Sequence, residues 1–261
     1  MANNITDHFN EYFEIVPAIS DVLKREVYKL RYQVYCIENN FESAWQFPDE
    51  FEYDKYDMHS VHYLIRHRRS AEYIATTRLI LPHGNSLNKP FPIEINSQID
   101  NVDLVKTIPR KNLAELSRFC VSKKFRRRKN EQHLIITHDD ESETVFTLEE
   151  KRNSSNLTLA LFSCAIRMSY ENNIHYWYAI MEPSLMRVFS ALGIHFVGIG
   201  PLVDYHGMRR PCIIKVTDLL DSVAKKNVSY WNMLTNNGHL IELKLSDSAT
   251  KSCLYPISLP Y

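Results

Sequence analysis

Only residues 68–72 separate two strand-like runs, Ser60–His67 and residues 73–81. So short a connection joins antiparallel neighbours, which predicts a hairpin and rules out a purely parallel sheet. Residues 12–16 read as a strand before it. Ser20 or Asp21 can cap a helix reaching about Glu38, because Val22, Leu23, Val27, Leu30, Val34 and Ile37 recur at helical spacing. Residues 39–59 form a polar, aromatic connection, and residues 82–111 a second long one. Leu113–Val121 reads as a strand. Asn156 can cap an almost wholly apolar helix from Leu157 to about Glu171, followed by an aromatic strand at 175–181. A helix at 183–192 is opened by Pro183 and stopped by Gly193, with a strand at 194–203 after it. His206-Gly207 suits a turn into a strand at 211–216, and 217–225 is a short helix. This order predicts an α/β (α+β) fold: a mixed, mainly antiparallel twisted sheet flanked by helices. The domain is expected over 1–225, with a C-terminal extension at 226–261. A polar insertion at about 127–155 carries too few apolar residues to anchor itself.

Composition removes several function classes. Six glycines in 261 residues argue against a glycine-rich nucleotide-binding loop. Lys plus Arg equals Asp plus Glu at 31 each, so net charge selects no partner, and no nucleic-acid motif is present. The five cysteines are widely spaced without C-x-x-C, which suits thiols in a reducing compartment rather than a disulfide framework. No secretory signal is evident, and the longest apolar stretch, 157–168, is too short for a bilayer and contains Arg167. A cytoplasmic protein without a transmembrane segment is the expectation.

Charged residues inside apolar runs mark the candidate site. Glu115 and Arg118 interrupt Leu113–Val121 as Glu115-x-x-Arg118. Residues three apart on a strand face opposite sides unless a bulge intervenes, so this pair either holds the sheet together or lines a cleft. In a cleft, Glu115 would orient an attacking amine or help remove its proton, and Arg118 would anchor a carboxylate or a neighbouring acid. Glu52-x-Asp54-x-x-Asp57 lies among Phe47, Phe51, Tyr53 and Tyr56. That trio reads as a solvated loop or, beside aromatic faces, as a site for a cationic amine. No His stands at ligand spacing within it, so no metal site is expected. Arg31, four residues before Tyr35, reads alone as a helix-surface arginine. Arg78, between Thr77 and Leu79 in a strand, requires a carboxylate partner.

Lys123, Lys124, Arg126, Arg127, Arg128 and Lys129 fall within seven positions. The run is a solvated strand end or an anion site for a phosphopantetheine phosphate, and it could steer an acidic carrier protein to the cleft. The absence of glycine there favours a carrier-protein thioester over coenzyme A as donor.

The series Arg31-x-x-x-Tyr35, Glu52-x-Asp54-x-x-Asp57, Arg78-Leu79, Phe91 and Glu115-x-x-Arg118-Phe119 resembles the acyl-homoserine-lactone, or autoinducer, synthases across roughly 28–122. Tyr35 stands where those synthases usually have Phe. The stretches A-I-M-E-P-S-L and I-G-P-L-V-D-Y-H-G-M-R-R-P resemble the exosortase-associated acyltransferases and long-chain N-acyl amino acid synthases. The resemblance implies a bacterial enzyme with the GNAT acyl-CoA N-acyltransferase fold. It would transfer a fatty acyl group from acyl carrier protein, or from coenzyme A, to a small amine acceptor, an amino acid, with no tightly bound cofactor. On that reading Glu115 and Arg118 carry catalysis, and Arg31, Tyr35, Glu52, Asp54, Asp57 and Arg78 shape the substrate site. Backbone amides near Phe119, Cys120 and Val121 would polarise the thioester carbonyl where the strands 113–121 and 175–181 part. Lys123, Lys124, Arg126, Arg127 and Arg128 would hold phosphate and carrier. Three alternatives stay open: a lactone synthase using S-adenosylmethionine, an acetyl-coenzyme A acetyltransferase, and a non-catalytic acyl- or carrier-binding module.

Overall fold

The computed structural model describes residues 5–84, 89–125, 156–205 and 207–240. Helix α1 (Ile5–Tyr12) leads into β1 (Phe13–Pro17) and α2 (Asp21–Arg31), which continues as a π-helix over Tyr32–Glu38. The hairpin β2 (Ser60–His67) and β3 (Tyr73–Ile80) follows, then short helices α3 (Pro92–Asn96) and α4 (Val102–Lys106) and strand β4 (Leu113–Val121). Beyond them come α5 (Leu157–Glu171), β5 (Tyr176–Met181), α6 (Pro183–Ala191), β6 (Val197–Gly198) and β7 (Val203–Asp204). Strand β8 (Met208–Lys215) and helices α7 (Val216–Lys226) and α8 (Val228–Thr235) complete the order.

The strands form one sheet in the order β1-β2-β3-β4-β5-β8-β6, with β7 on the far part of β8. Every pairing is antiparallel except β4 with β5. That parallel ladder has three residue pairs, ending at Glu115 opposite Tyr178. Past this point β4 and β5 run on with no further partners between them, and the sheet opens into a wedge.

Local chemistry explains the flanking helices. Ser20 caps α2 by accepting a hydrogen bond from the Leu23 amide at 3.3 Å, satisfying a donor the first turn leaves over. Val27 and Leu30 on α2 pack with Leu64 and Cys120 on one face of the sheet. On the other face α5 buries eleven of its fifteen residues. A helix that apolar needs cover on its back as well, and α8 supplies it: Met233 and Leu234 belong to the same core cluster as Leu161 and Trp177. Helix α8 lies past the boundary expected at 225, in a stretch whose sequence pattern is weak, yet it is integral to the core. Burying a side chain such as Leu234 contributes roughly 2 kcal/mol.

Three expectations need correction. The helix predicted to run from 21 to about 38 changes to π geometry after Arg31. The strand predicted at 194–203 is instead an irregular segment holding the two-residue strands β6 and β7. Its cause is Gly200, where a Cβ would collide with the Gln98 carbonyl, so the chain bends to let that backbone approach. Helix α1 was not anticipated at all; its Phe9 is buried against Phe13. The polar insertion expected at 127–155 lies outside the described residues, as do Arg126, Arg127 and Arg128. Among the described residues no helix is long and apolar enough to cross a membrane.

Candidate active site

The site begins with a fault in β4. Thr76 pairs with Cys120 and Arg78 with Ser117, so β4 spends one more residue than β3 over this interval. The extra residue is absorbed at Arg118, whose φ of 49° is left-handed. A non-glycine residue in that region costs about 1 kcal/mol or more and persists only where surrounding contacts enforce it. The bulge resets the alternation of the strand, and Glu115 and Arg118 therefore line the same cavity rather than opposite faces.

Arg118 is enforced by an ion-pair cluster. Its Nη2 donates to Glu52 Oε1 at 2.8 Å, and its guanidinium lies 5.2 Å from the centre of the Tyr35 ring. Arg31, from the last turn of α2, reaches the other side of Glu52 and donates to Asp57 Oδ1 at 2.7 Å. Arg78 donates to Asp54 at 2.7 Å, to Asp57 at 2.9 Å and to Ser117 Oγ at 3.0 Å. The loop is tied to itself as well, since the Asp54 amide donates to Asp57 Oδ2 at 2.7 Å. Three arginines thus meet four carboxylates, since Arg118 Nη2 also lies 3.5 Å from Glu42. Burial alone would raise the Glu52 carboxyl, but Arg31 and Arg118 outweigh it and bring it down to about 2. Asp57 is likewise held well below the carboxylate range: burial opposes, and Arg31 and Arg78 prevail.

This arrangement differs from the expectation for the acidic trio. The arginines of α2, β3 and β4 pair with all three of its carboxylates. Glu52 and Asp57 are buried, and of the three only Asp54 reaches the cavity wall. Arg31 is fully buried, not a surface residue. Beside the cluster the buried His62 ring lies 3.5 Å from Asp57. Burial and the Arg31 charge push its pKa down to about 3, so it is neutral at pH 7.

Glu115 lies in the same cavity under opposite conditions. It is 5% exposed, and among the described residues no cation comes within ion-pair distance of it. Its Oε2 accepts one hydrogen bond, from the Ile93 amide at 2.8 Å. Helix α3 is fixed for that purpose: Arg110 pairs with Glu94 and stacks 4.1 Å from the Phe91 ring centre. Burial raises the Glu115 carboxyl to about 7, with the Ile93 hydrogen bond and Arg78 partly opposing. A carboxyl that exchanges its proton near neutrality inside a cleft can serve as a general base.

The cavity occupies about 680 Å³ where β4 and β5 part. One arm is polar, with Asp54, Arg78, Glu115 and Arg118; the other is apolar, with Leu116, Phe119, Met181, Val188 and Phe189. Phe119 and Phe189 line the apolar arm and pack against the buried Phe162, the three ring centres 4.8 to 5.9 Å apart.

The remaining predicted residues divide. Tyr35, Phe119 and Val121 line the cavity. Cys120 does not; it is buried with Val27 and Leu30 of α2. Lys123 and Lys124 are drawn to Glu38 and Glu72: the Lys123 amide donates to Glu38 at 2.8 Å, and Lys124 Nζ lies 3.1 Å from Glu72. Neither lysine lines the cavity. The sequence reading missed Tyr205 and Arg209 of the β7–β8 hairpin and Ser117, all of which do. The tandem Arg209-Arg210 in a strand was the available signal.

Residues 30–136 match the family model of the Acetyltransferase (GNAT) domain. The match spans β2 to β4 and every member of the arginine–carboxylate cluster. The fold is that of solved acyl-homoserine lactone synthases. BjaI, a CoA-dependent acyl-homoserine lactone synthase with SAM and isopentyl-CoA, superposes at TM-score 0.54 and 17% identity, over 82% of this chain and 88% of its own. MesI, also a CoA-dependent acyl-homoserine lactone synthase, matches at TM-score 0.51 and 17% identity over 82% and 94%. The AHL synthase LasI matches at TM-score 0.50 and 17% identity over 78% and 88%. No curated protein sequence matches the chain significantly.

Proposed function

We propose that the protein is an N-acyltransferase that moves a fatty acyl group from a pantetheine-linked thioester to the amine of a small acceptor, an amino acid. One observation carries the reading: a lone buried carboxyl with a pKa of about 7, Glu115, stands at the apex of the wedge between β4 and β5. A thioester arm lying in the wedge would bring its carbonyl to the bulged backbone after Ser117, where the ladder to β3 is interrupted. The acyl chain would fill the apolar arm, which Phe119 and Phe189 line. The acceptor amine would lie in the polar arm.

Glu115 takes a proton from the ammonium form, directly or through water, leaving a neutral amine. The amine lone pair attacks the thioester carbonyl, the C–N bond forms, and collapse breaks the C–S bond. The thiolate leaves and takes up, directly or through water, the second proton that the attacking nitrogen gives up. The arginine–carboxylate cluster fixes the walls of this arm and forces the bulge; it supplies no mobile proton. Acyl carrier protein is the preferred donor partner, on the strength of the basic run beginning at Lys123. The CoA-dependence of BjaI and MesI keeps acyl-coenzyme A beside it. The same relatives support a second reading, S-adenosylmethionine as acceptor, because BjaI was solved with SAM.

The test is purified protein with acyl carrier protein or coenzyme A thioesters and a mixture of amino acids, read by mass spectrometry. N-acyl amino acids are the expected products. Released methylthioadenosine with S-adenosylmethionine would favour the lactone-synthase reading. Glu115→Gln should lower kcat by about a hundredfold or more, and wild-type kcat/KM should rise as pH passes through about 7. Full turnover in Glu115→Gln at saturating amine would remove Glu115 from the mechanism.

A further inference from the structure

Three arginines line the cleft, Arg78, Arg118 and Arg209. The first two belong to the cluster, where three guanidinium groups face four carboxylates and leave no net positive charge for a ligand. Arg209 stands apart on β8, where it pairs across the hairpin with Val203. Among the described residues no carboxylate lies within ion-pair distance of it. Its Nε is shut off from solvent and has no hydrogen-bond partner. Its guanidinium lies 5.5 Å from the centre of the Phe41 ring, which holds it at the cleft wall rather than in open water. A solvated surface arginine keeps its donors wet, whereas this one keeps a desolvated donor unmet, which is unfavourable until an acceptor arrives. The hairpin also reaches the chemistry: Tyr205, four residues earlier, lines the same cavity as Arg118 and Glu115.

We infer that Arg209 is a carboxylate-binding subsite that anchors the acid group of the acceptor while its amine faces Glu115. A guanidinium and a carboxylate match as paired donors and acceptors, so the subsite selects amines that carry a carboxylate over those that do not. The inference rests on the acyl-transfer reading above and narrows its acceptor. It also reassigns the anchoring role once considered for Arg118, which Glu52 already occupies.

The test compares amino acids with their matched primary amides as acceptors, in wild type, Arg209→Gln and Arg209→Lys. Wild type should prefer the acid. Arg209→Gln should raise KM for the acid by about tenfold or more with a smaller effect on kcat, leave KM for the amide unaltered, and abolish the preference. Arg209→Lys, which keeps the charge without the fork, should fall between them. Equal use of acid and amide by wild type, or unchanged KM in a folded Arg209→Gln, overturns the subsite. If wild type acylates no amine from either donor, acyl transfer itself fails, and the subsite is judged separately by saturation-transfer NMR. Binding of amino acids but not their amides, lost in Arg209→Gln, would then support it; no binding would overturn it.

Discussion

Glu52 and Glu115 are both buried carboxylates, 1% and 5% exposed, Glu115 in the wall of the cleft and Glu52 behind it. Their proton affinities nevertheless move in opposite directions, Glu52 to about 2 and Glu115 to about 7. Burial raises both. The difference is company: Glu52 is gripped by Arg31 and Arg118, whereas Glu115 has one backbone amide from Ile93. The first region is therefore a fixed charge lattice that sets the shape of the cleft. The second is a single group able to gain and lose a proton at neutral pH. A buried acid with partners builds structure, and one without them is available for chemistry.

The contrast can be broken most severely at Arg31. Arg31→Met keeps the bulk of the side chain but strands two buried carboxylates, and should destabilise the protein by about 3 kcal/mol or more in denaturant unfolding. The loss should depend on pH in a definite sense. Glu52 has a depressed folded pKa, so its share of stability is fully present above its unfolded value of 4.5 and disappears as pH falls toward 2. The gap between wild type and Arg31→Met should accordingly narrow over that interval. A gap that stayed constant would mean the cluster is not what Arg31 supports.

Glu115→Gln should act the other way. The folded carboxyl holds its proton more tightly than the unfolded one, so its effect on stability is absent below pH 4.5, grows unfavourable as pH rises from 4.5 to about 7, and is complete above that. Glutamine can still accept from Ile93 without ever ionising. At pH 8 the variant should be more stable than wild type by about 3 kcal/mol, while losing turnover, and the two should converge near pH 4.5. Equal melting temperatures at pH 8 would indicate that Glu115 is better solvated than its burial implies.

The smallest effect sharpens the boundary between the two regions. Ser117→Ala removes the hydroxyl that accepts from Arg78 Nε at 3.0 Å, one residue before the bulge. It should cost about 1 kcal/mol of stability with little change in kcat. A large fall in kcat instead would show that the bulge geometry depends on Ser117 as well as on the Arg118 ion pairs.

Much of this was legible in the chain. The hairpin β2–β3 followed from two apolar runs with five residues between them, and β4 from Leu113–Val121. Arg78 and Arg118 stood out because charged residues inside apolar runs need partners. Arg31 did not stand out, since helical spacing cannot say whether an arginine faces water or a carboxylate 21 residues away. Helix α8 was hidden for a similar reason: its pattern is weak by itself, and its purpose is to cover the back of α5.

Sequence by itself determined the β2–β3 hairpin, the presence of buried charge and the two motifs that carry it, because those depend on local periodicity and on the cost of burying ions. Only the tertiary structure decided which acids are spent and which one is free to act. Glu52, Asp54 and Asp57 look as available as Glu115 in a line of text. Their fates separate because α2, β3 and β4 converge three guanidinium groups on the trio, while the parting of β4 and β5 leaves Glu115 in a low-dielectric wedge with no cation beside it among the described residues.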